Sequence, residues 1–262
     1  MQIRTVNDTR TEGLNVGIHL LYDAIIFLTA FITAKAALKC DLKAPLHCAA
    51  AAILFYVPTV IKRRGIVLPN GLEGSILILI FMSQVIGEAE CGYVKFRLLD
   101  SALHLLSGFF LAALGFLLPK LFSNGKNTGI SPVLCAVFAL CFSLSVGVYW
   151  ELFEFSADRI LGLDMQKDTM ITGFSSVTLD ESENNIPVKI ENVVSVDIND
   201  GETVLDGYLD IGLYDTMKDL FMNLIGAAAF SFIGYMYIEY GKFKHTAEAF
   251  IPEIVTDSRP VV

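Results

Sequence analysis

Charge is what this sequence has little of. Asp, Glu, Lys and Arg make up 18% of its 262 residues, against about 25% in soluble globular domains. With 54% hydrophobic residues and a mean hydropathy of +0.57, too much apolar surface is left for water to be its only solvent. A basic stripe is also missing, which excludes a nucleic-acid-binding surface. No run of like charge is long enough for a disordered tail. The five cysteines, Cys40, Cys48, Cys91, Cys135 and Cys141, show neither paired metal spacing nor a dense disulfide framework. The N-terminal stretch lacks the short apolar core and small-residue cleavage site of a signal peptide.

What charge there is has a place. The net charge is −9, and the segment from Asp164 to Asp210 accounts for all of it, with 11 acids against Lys167 and Lys189. The other residues hold 17 acids and 17 bases. Apolar runs of about 20 residues span a bilayer as helices. Such runs are expected at Leu14–Leu38, Ala44–Ile61, Leu72–Gly87, Leu98–Phe122, Ile130–Phe155 and Tyr214–Tyr240. Between the last two, Thr169–Leu179, Ile186–Ile198 and Glu202–Leu209 are rich in Val, Ile and Thr. Turn-forming residues at 181–185 and 199–201 separate them. The expected fold is an all-α polytopic membrane protein of about six transmembrane helices, with a small antiparallel β insertion outside the bilayer. Its parts are a polar segment 1–13, helices one to five over 14–166, an acidic β insertion 167–211, helix six over 212–241 and a polar tail 242–262. The Lys62-Arg63-Arg64 cluster in a short loop favours both termini on the cytoplasmic side.

Six alternating spans bring the end of helix three, the start of four, the end of five and the start of six to one face. That face collects Glu88, Glu90, Asp100, His104, Glu151, Glu154, Asp158, Asp215 and Asp219. Ionisable groups in spans cost a few kcal/mol each at the helix centre, so they mark function more often than chance. Asp100 and His104, Glu154 and Asp158, and Asp215 and Asp219 are four residues apart, and Glu151 and Glu154 three, so each pair shares a helix face. Asn223 extends the last row by a turn. Many carboxylates in a low dielectric must share protons or enclose a cation. The candidate catalytic set is therefore Glu88, Asp100, His104, Glu151, Glu154, Asp215, Asp219 and Asn223. Asp100, His104, Glu151, Glu154 and Asp219 are the candidate ligands of a divalent metal cation. Plainer roles compete: Asp215 as a helix N-cap, Trp150 in an interfacial aromatic belt, and Gly226 with Ala227 to Ala229 as close helix packing.

Five blocks carry a resemblance. They are Gly87-Glu88, Asp100-x-x-Leu103-His104-x-x-Ser107-Gly108, Trp150-Glu151-x-x-Glu154-Phe155-x-x-Asp158, Met165-Gln166, and Asp215-Thr216-Met217-x-Asp219-Leu220-x-x-Asn223-x-x-Gly226-Ala227. In this order they resemble the YjdF-type bacterial inner-membrane proteins, over roughly half the chain. The last block is also similar, more distantly, to the VanZ-like proteins. That group is linked to glycopeptide resistance, and the kinship implies chemistry on lipid or lipid-linked headgroups. The acidic insertion departs from the family pattern, in which a shorter connection joins the Met-Gln and Asp-Thr-Met blocks. Three functions follow as expectations. The first is an enzyme, hydrolase or transferase, acting on phospholipid or polyprenyl-linked headgroups, with a cation bridging phosphate. The second is a cation- or proton-coupled transporter, and the third a membrane scaffold whose β insertion contacts a protein or ligand. Membrane lipids are the expected partners, and nucleic acid is not one.

Overall fold

Backbone groups in a bilayer core must be satisfied within the chain, so apolar runs of this length form helices. In a computed structural model of the chain, residues 8–38, 43–122 and 130–254 are described. The first span is one helix, α1 (Asp8–Leu38). The second is broken into α2 (Lys43–Leu54) and α3 (Val57–Arg63). Pro58 explains the break, because its ring excludes the carbonyl of Leu54 and it has no N–H to offer. A short strand, β1 (Ile66–Val67), leads to α4 (Asn70–Ile80). This helix continues as a π-helix over Phe81–Ala89, closed by the Glu90 N–H donating to the Val85 carbonyl at 3.0 Å. After α5 (Gly92–Lys95) comes α6 (Leu99–Gly115), which stops short of the expected Phe122 and is followed by α7 (Leu118–Phe122). Pro119 has no N–H for the Gly115 carbonyl, and the chain turns there. α8 (Pro132–Leu161) is unbroken.

The insertion forms β2 (Met170–Ile171), β3 (Phe174–Ser176), β4 (Val188–Ile190), β5 (Val196–Ile198), β6 (Thr203–Leu205) and β7 (Tyr208–Leu209). The expected antiparallel β insertion is present, and its strands make three separate pairs, β2 with β7, β3 with β4 and β5 with β6. With two or three residues apiece, none offers a second free edge long enough to extend a sheet. α9 (Leu213–Tyr240) and α10 (Lys244–Phe250) follow, and β8 (Glu253–Ile254) pairs antiparallel with β1. Among the described residues five helical spans are long and apolar enough to cross a membrane, and α6 is a shorter apolar helix.

The chain divides into two compact units, Met1–Gly147 with Phe221–Val262, and Val148–Leu220. In the first, one apolar cluster joins Leu72, Ala112, Ala113, Ala139, Ala227 and Phe230 from α4, α6, α8 and α9, with Phe116 just past the end of α6. The rings of Phe109 and Phe230 meet edge to face, 4.9 Å apart. Small residues let these backbones come close, the main attraction available where lipid removes the hydrophobic drive. A Cβ on Gly226 would lie 1.9 Å from the Leu105 carbonyl oxygen, and one on Gly108 would lie 2.2 Å from the Asn223 carbonyl oxygen. Each helix supplies the glycine that admits the other's backbone. A second cluster packs Ile25, Ile32, Cys48, Ala51, Leu77 and Val85 from α1, α2, α4 and the π-helix, with Phe55 just past the end of α2.

The second unit is organised by carboxylates that accept backbone N–H groups. Asp158 takes Met165 N–H and Gln166 N–H, at 2.6 and 2.9 Å. Asp180 accepts from the Ser182 N–H and hydroxyl and from the N–H groups of Asn184 and Ile186. The Ser182 hydroxyl bond, then the Ile186 N–H, hold the Asp180 carboxyl below its ordinary range. Burial, then repulsion from Asp164, Asp210 and Asp158, pushes Asp168 up.

Candidate functional site

Four candidate residues lie in the first unit: Glu88, Asp100, His104 and Asn223. Helical spacing turns Asp100 and His104 to one side of α6, and His104 Nε2 stands 3.6 Å from Asp100 Oδ1. Both are sheltered, His104 at 13% and Asp100 at 27% side-chain exposure. One turn further along α6, the Gly108 carbonyl accepts the buried Ser143 hydroxyl of α8 at 2.9 Å. Asn223 of α9 fills the space left by two absent side chains. Its backbone meets Gly108, and its amide lies over Gly147, where a Cβ would come within 3.0 Å of the Asn223 Cγ. Asn223 is 2% exposed, and its Oδ1 has no hydrogen-bond partner among the described residues. A buried amide oxygen left so costs about 1–3 kcal/mol, which makes it a natural acceptor for a ligand's donor or a cation.

Glu88 faces a residue that the sequence did not single out. His47 of α2 lies with Nε2 4.0 Å from Glu88 Oε2 and Nδ1 3.4 Å from Gln84 Oε1. Ser83 accepts from the Tyr93 hydroxyl at 3.2 Å and from Gln84 Nε2 at 3.4 Å. The π-helix therefore carries a polar cluster at Ser83, Gln84 and Glu88, and π segments recur at functional sites. The only sequence signal was a His in an apolar run and a Ser-Gln pair in the middle of a span. Glu90, at the end of the same segment, receives Lys35 on both oxygens at 2.8 and 2.9 Å. At the other end of this span the buried Glu73 accepts Lys62 on both oxygens at 2.7 and 2.6 Å. The Tyr22 hydroxyl reaches it at 3.3 Å.

Glu151, Glu154, Asp215 and Asp219 lie in the second unit. Glu151 and Asp219 are buried, at 5% and 1% exposure. Glu154 accepts the Trp150 indole N–H at 2.9 Å, so the Trp has a partner on its own helix. Asp215 accepts the Lys167 N–H at 2.9 Å and the Lys218 ammonium at 2.5 Å. Its cap thus serves a neighbouring segment rather than α9. Lys218 Nζ is also 3.7 Å from Asp219 Oδ1. Gln166 donates to the Thr216 hydroxyl, tying the Met-Gln block to the Asp-Thr-Met block.

The donors on α6 fit a divalent cation. Two ligand atoms at about 2.1 Å from a tetrahedral ion stand roughly 3.4 Å apart, close to the 3.6 Å between His104 Nε2 and Asp100 Oδ1. An imidazole and a carboxylate suit zinc, manganese or iron better than calcium. No curated protein and no solved structure matches this chain. A family model described as a predicted membrane protein, DUF2238, matches residues 18–240, which contain every block of the YjdF-type resemblance. With most of its length covered by that model, the chain belongs to the DUF2238 family of predicted membrane proteins.

Proposed function

We propose that this integral membrane protein is an enzyme acting on a phospholipid or polyprenyl-linked headgroup at one membrane face, with Asp100 and His104 at its chemical centre. The carrying observation is their pairing at 3.6 Å on a sheltered helix face, a turn before Gly108, against which the backbone of the buried Asn223 packs. Histidine titrates near neutral pH and serves as general base or acid, with the carboxylate fixing its tautomer. The donor set also fits a divalent cation, which would polarise a phosphate ester when bound. Glu151, Glu154 and Asp219 of the second unit are proton-sharing acids in this reading. The burial of Glu151 and Asp219 supports it. Glu88 and Asn223 position Asp100, His104 or the substrate, and Asp215 positions the acids of its own unit. A VanZ-like kinship and a bacterial inner membrane with cytoplasmic termini belong to the same proposal.

The test is turnover by the purified full chain in nanodiscs of bacterial polar lipid, with headgroup release followed by mass spectrometry. Asp100→Asn and His104→Asn are expected to lower it by about 100-fold or more. Wild-type turnover in both variants would remove the assignment.

A second reading, a cation- or proton-coupled transporter, is favoured by the ionisable pairs at both ends of one span, Lys62–Glu73 and His47–Glu88. Metal or proton uptake into proteoliposomes, abolished by Glu73→Gln and Glu88→Gln without any headgroup release, would put this reading first.

A further inference from the structure

The ends of α1 and of the π-helix meet the start of α2 around a small open cleft lined by Lys35, Ala36, Ala44, Ala89, Glu90, Cys91 and Lys95. The three alanines leave room, and the lysines bring charge. Lys35 places two N–H groups on Glu90, and Lys95 donates to the Glu90 carbonyl. An ammonium has three donors, so one on Lys35 and two on Lys95 are left over. The ionised groups lining the cleft sum to one positive charge. The rim continues as Val94-Lys95-Phe96-Arg97-Leu98, in which Val94, Phe96 and Leu98 are 82%, 59% and 78% exposed. Large apolar side chains alternating with basic ones at the end of a span belong to the boundary between acyl chains and water.

We propose that this cleft binds the phosphate of an anionic lipid headgroup, with Lys35 and Lys95 holding the non-bridging oxygens while Val94, Phe96 and Leu98 lie among the acyl chains. Glu90 acts as a positioning residue. Its carboxylate fixes the Lys35 ammonium at the cleft, and its carbonyl does the same for Lys95. A lysine is a point charge with rotatable donors, suited to a phosphate that arrives in many orientations. The exposed apolar rim is the reason to expect a lipid rather than free phosphate. This site stands on residues separate from Asp100 and His104, so it holds whether or not the enzymatic reading does.

The experiment is thermal unfolding of the full chain in an uncharged detergent, titrated with short-chain phosphatidylglycerol, short-chain phosphatidylcholine or inorganic phosphate. Phosphatidylglycerol is expected to raise the midpoint saturably and more than phosphatidylcholine does. At about 1 kcal/mol for each surface lysine, Lys95→Gln should raise the half-saturating concentration about fivefold. Lys35→Gln with Lys95→Gln should raise it about thirtyfold. Lys95→Gln leaves the Lys35–Glu90 pair intact, so its effect is separable from a folding defect. Lys244→Gln on α10 should change nothing. Inorganic phosphate matching phosphatidylglycerol in the wild type, with the same loss in the variants, would keep the phosphate site and remove the lipid. Equal half-saturation in wild type and both lysine variants overturns the proposal.

Discussion

Gly226→Ala is the sharpest test of how the first unit is built. The new Cβ would start 1.9 Å from the Leu105 carbonyl oxygen and 2.9 Å from the Phe109 nitrogen, whereas ordinary contact begins at 3.4 Å. Both obstacles are backbone, so no side chain can swing aside, and α6 and α9 must part by more than about 1 Å. Overpacking of this kind costs about 1–3 kcal/mol. Parting the helices also loosens the edge-to-face contact of Phe109 with Phe230 and the seating of Asn223 at Gly108, so we expect the upper end, about 3 kcal/mol. Gly108→Ala acts on the same helix pair and should cost a similar amount. The double variant should then cost clearly less than the two added, because helices already parted accept the second methyl at little extra cost. Gly17→Ala, where nothing lies within 4 Å, is the control. It should be neutral or stabilising by about 0.5–1 kcal/mol through helix propensity. The assay is unfolding of the purified protein in mild detergent under increasing denaturing detergent. A Gly226→Ala midpoint equal to that of Gly17→Ala would refute the close crossing. Strict additivity of the two core alanines would refute the shared cause.

Two further outcomes follow from the ion pairs and the insertion. Lys62→Met leaves the buried Glu73 without its ammonium and should destabilise by about 3 kcal/mol, while Lys62→Met with Glu73→Met should recover most of it. An equal loss in single and double variants, in the same unfolding assay, would contradict the pairing. For Asp180, whose carboxyl is held below its ordinary range, the contribution is present above the unfolded carboxylate pKa of about 3.9. It is lost as pH falls through the lower folded value. Hydrogen exchange should therefore show the Ser182, Asn184 and Ile186 amides protected at pH 5 and opening below about pH 4. Asp180→Asn should leave them weakly protected at both pH values.

The α-helical spans could be read directly because their cause is local. A bilayer asks for about 20 apolar residues at 1.5 Å rise each, and the runs are visible without knowing what packs where. The breaks at Phe55-Tyr56 and at Phe116-Leu117 were legible in principle too, since Pro58 and Pro119 each deny one carbonyl its N–H partner. The i, i+4 pairing of Asp100 with His104 is again a property of one helix. By contrast, the π-helix over Phe81–Ala89 has no composition that announces it; its Val85 is buried among residues of α1 and α2 that lie far away in sequence.

Composition, apolar periodicity and spacing along single helices thus determined on their own that this chain is a polytopic membrane protein. They also located its acidic segment and the helix faces that carry its acids. Tertiary structure alone decided which partner a polar group finds beyond its own helix. His47 meets Glu88 across 41 positions of chain, and Lys35 meets Glu90 across 55. Asp215 caps Lys167 rather than its own helix, and Gly108 and Gly226 answer each other across a helix crossing. The physical reason is one of range. Hydrophobic matching to a bilayer acts on each segment separately, whereas a hydrogen bond, an ion pair or a backbone contact needs two groups within a few ångströms, and only the packing of helices brings them there.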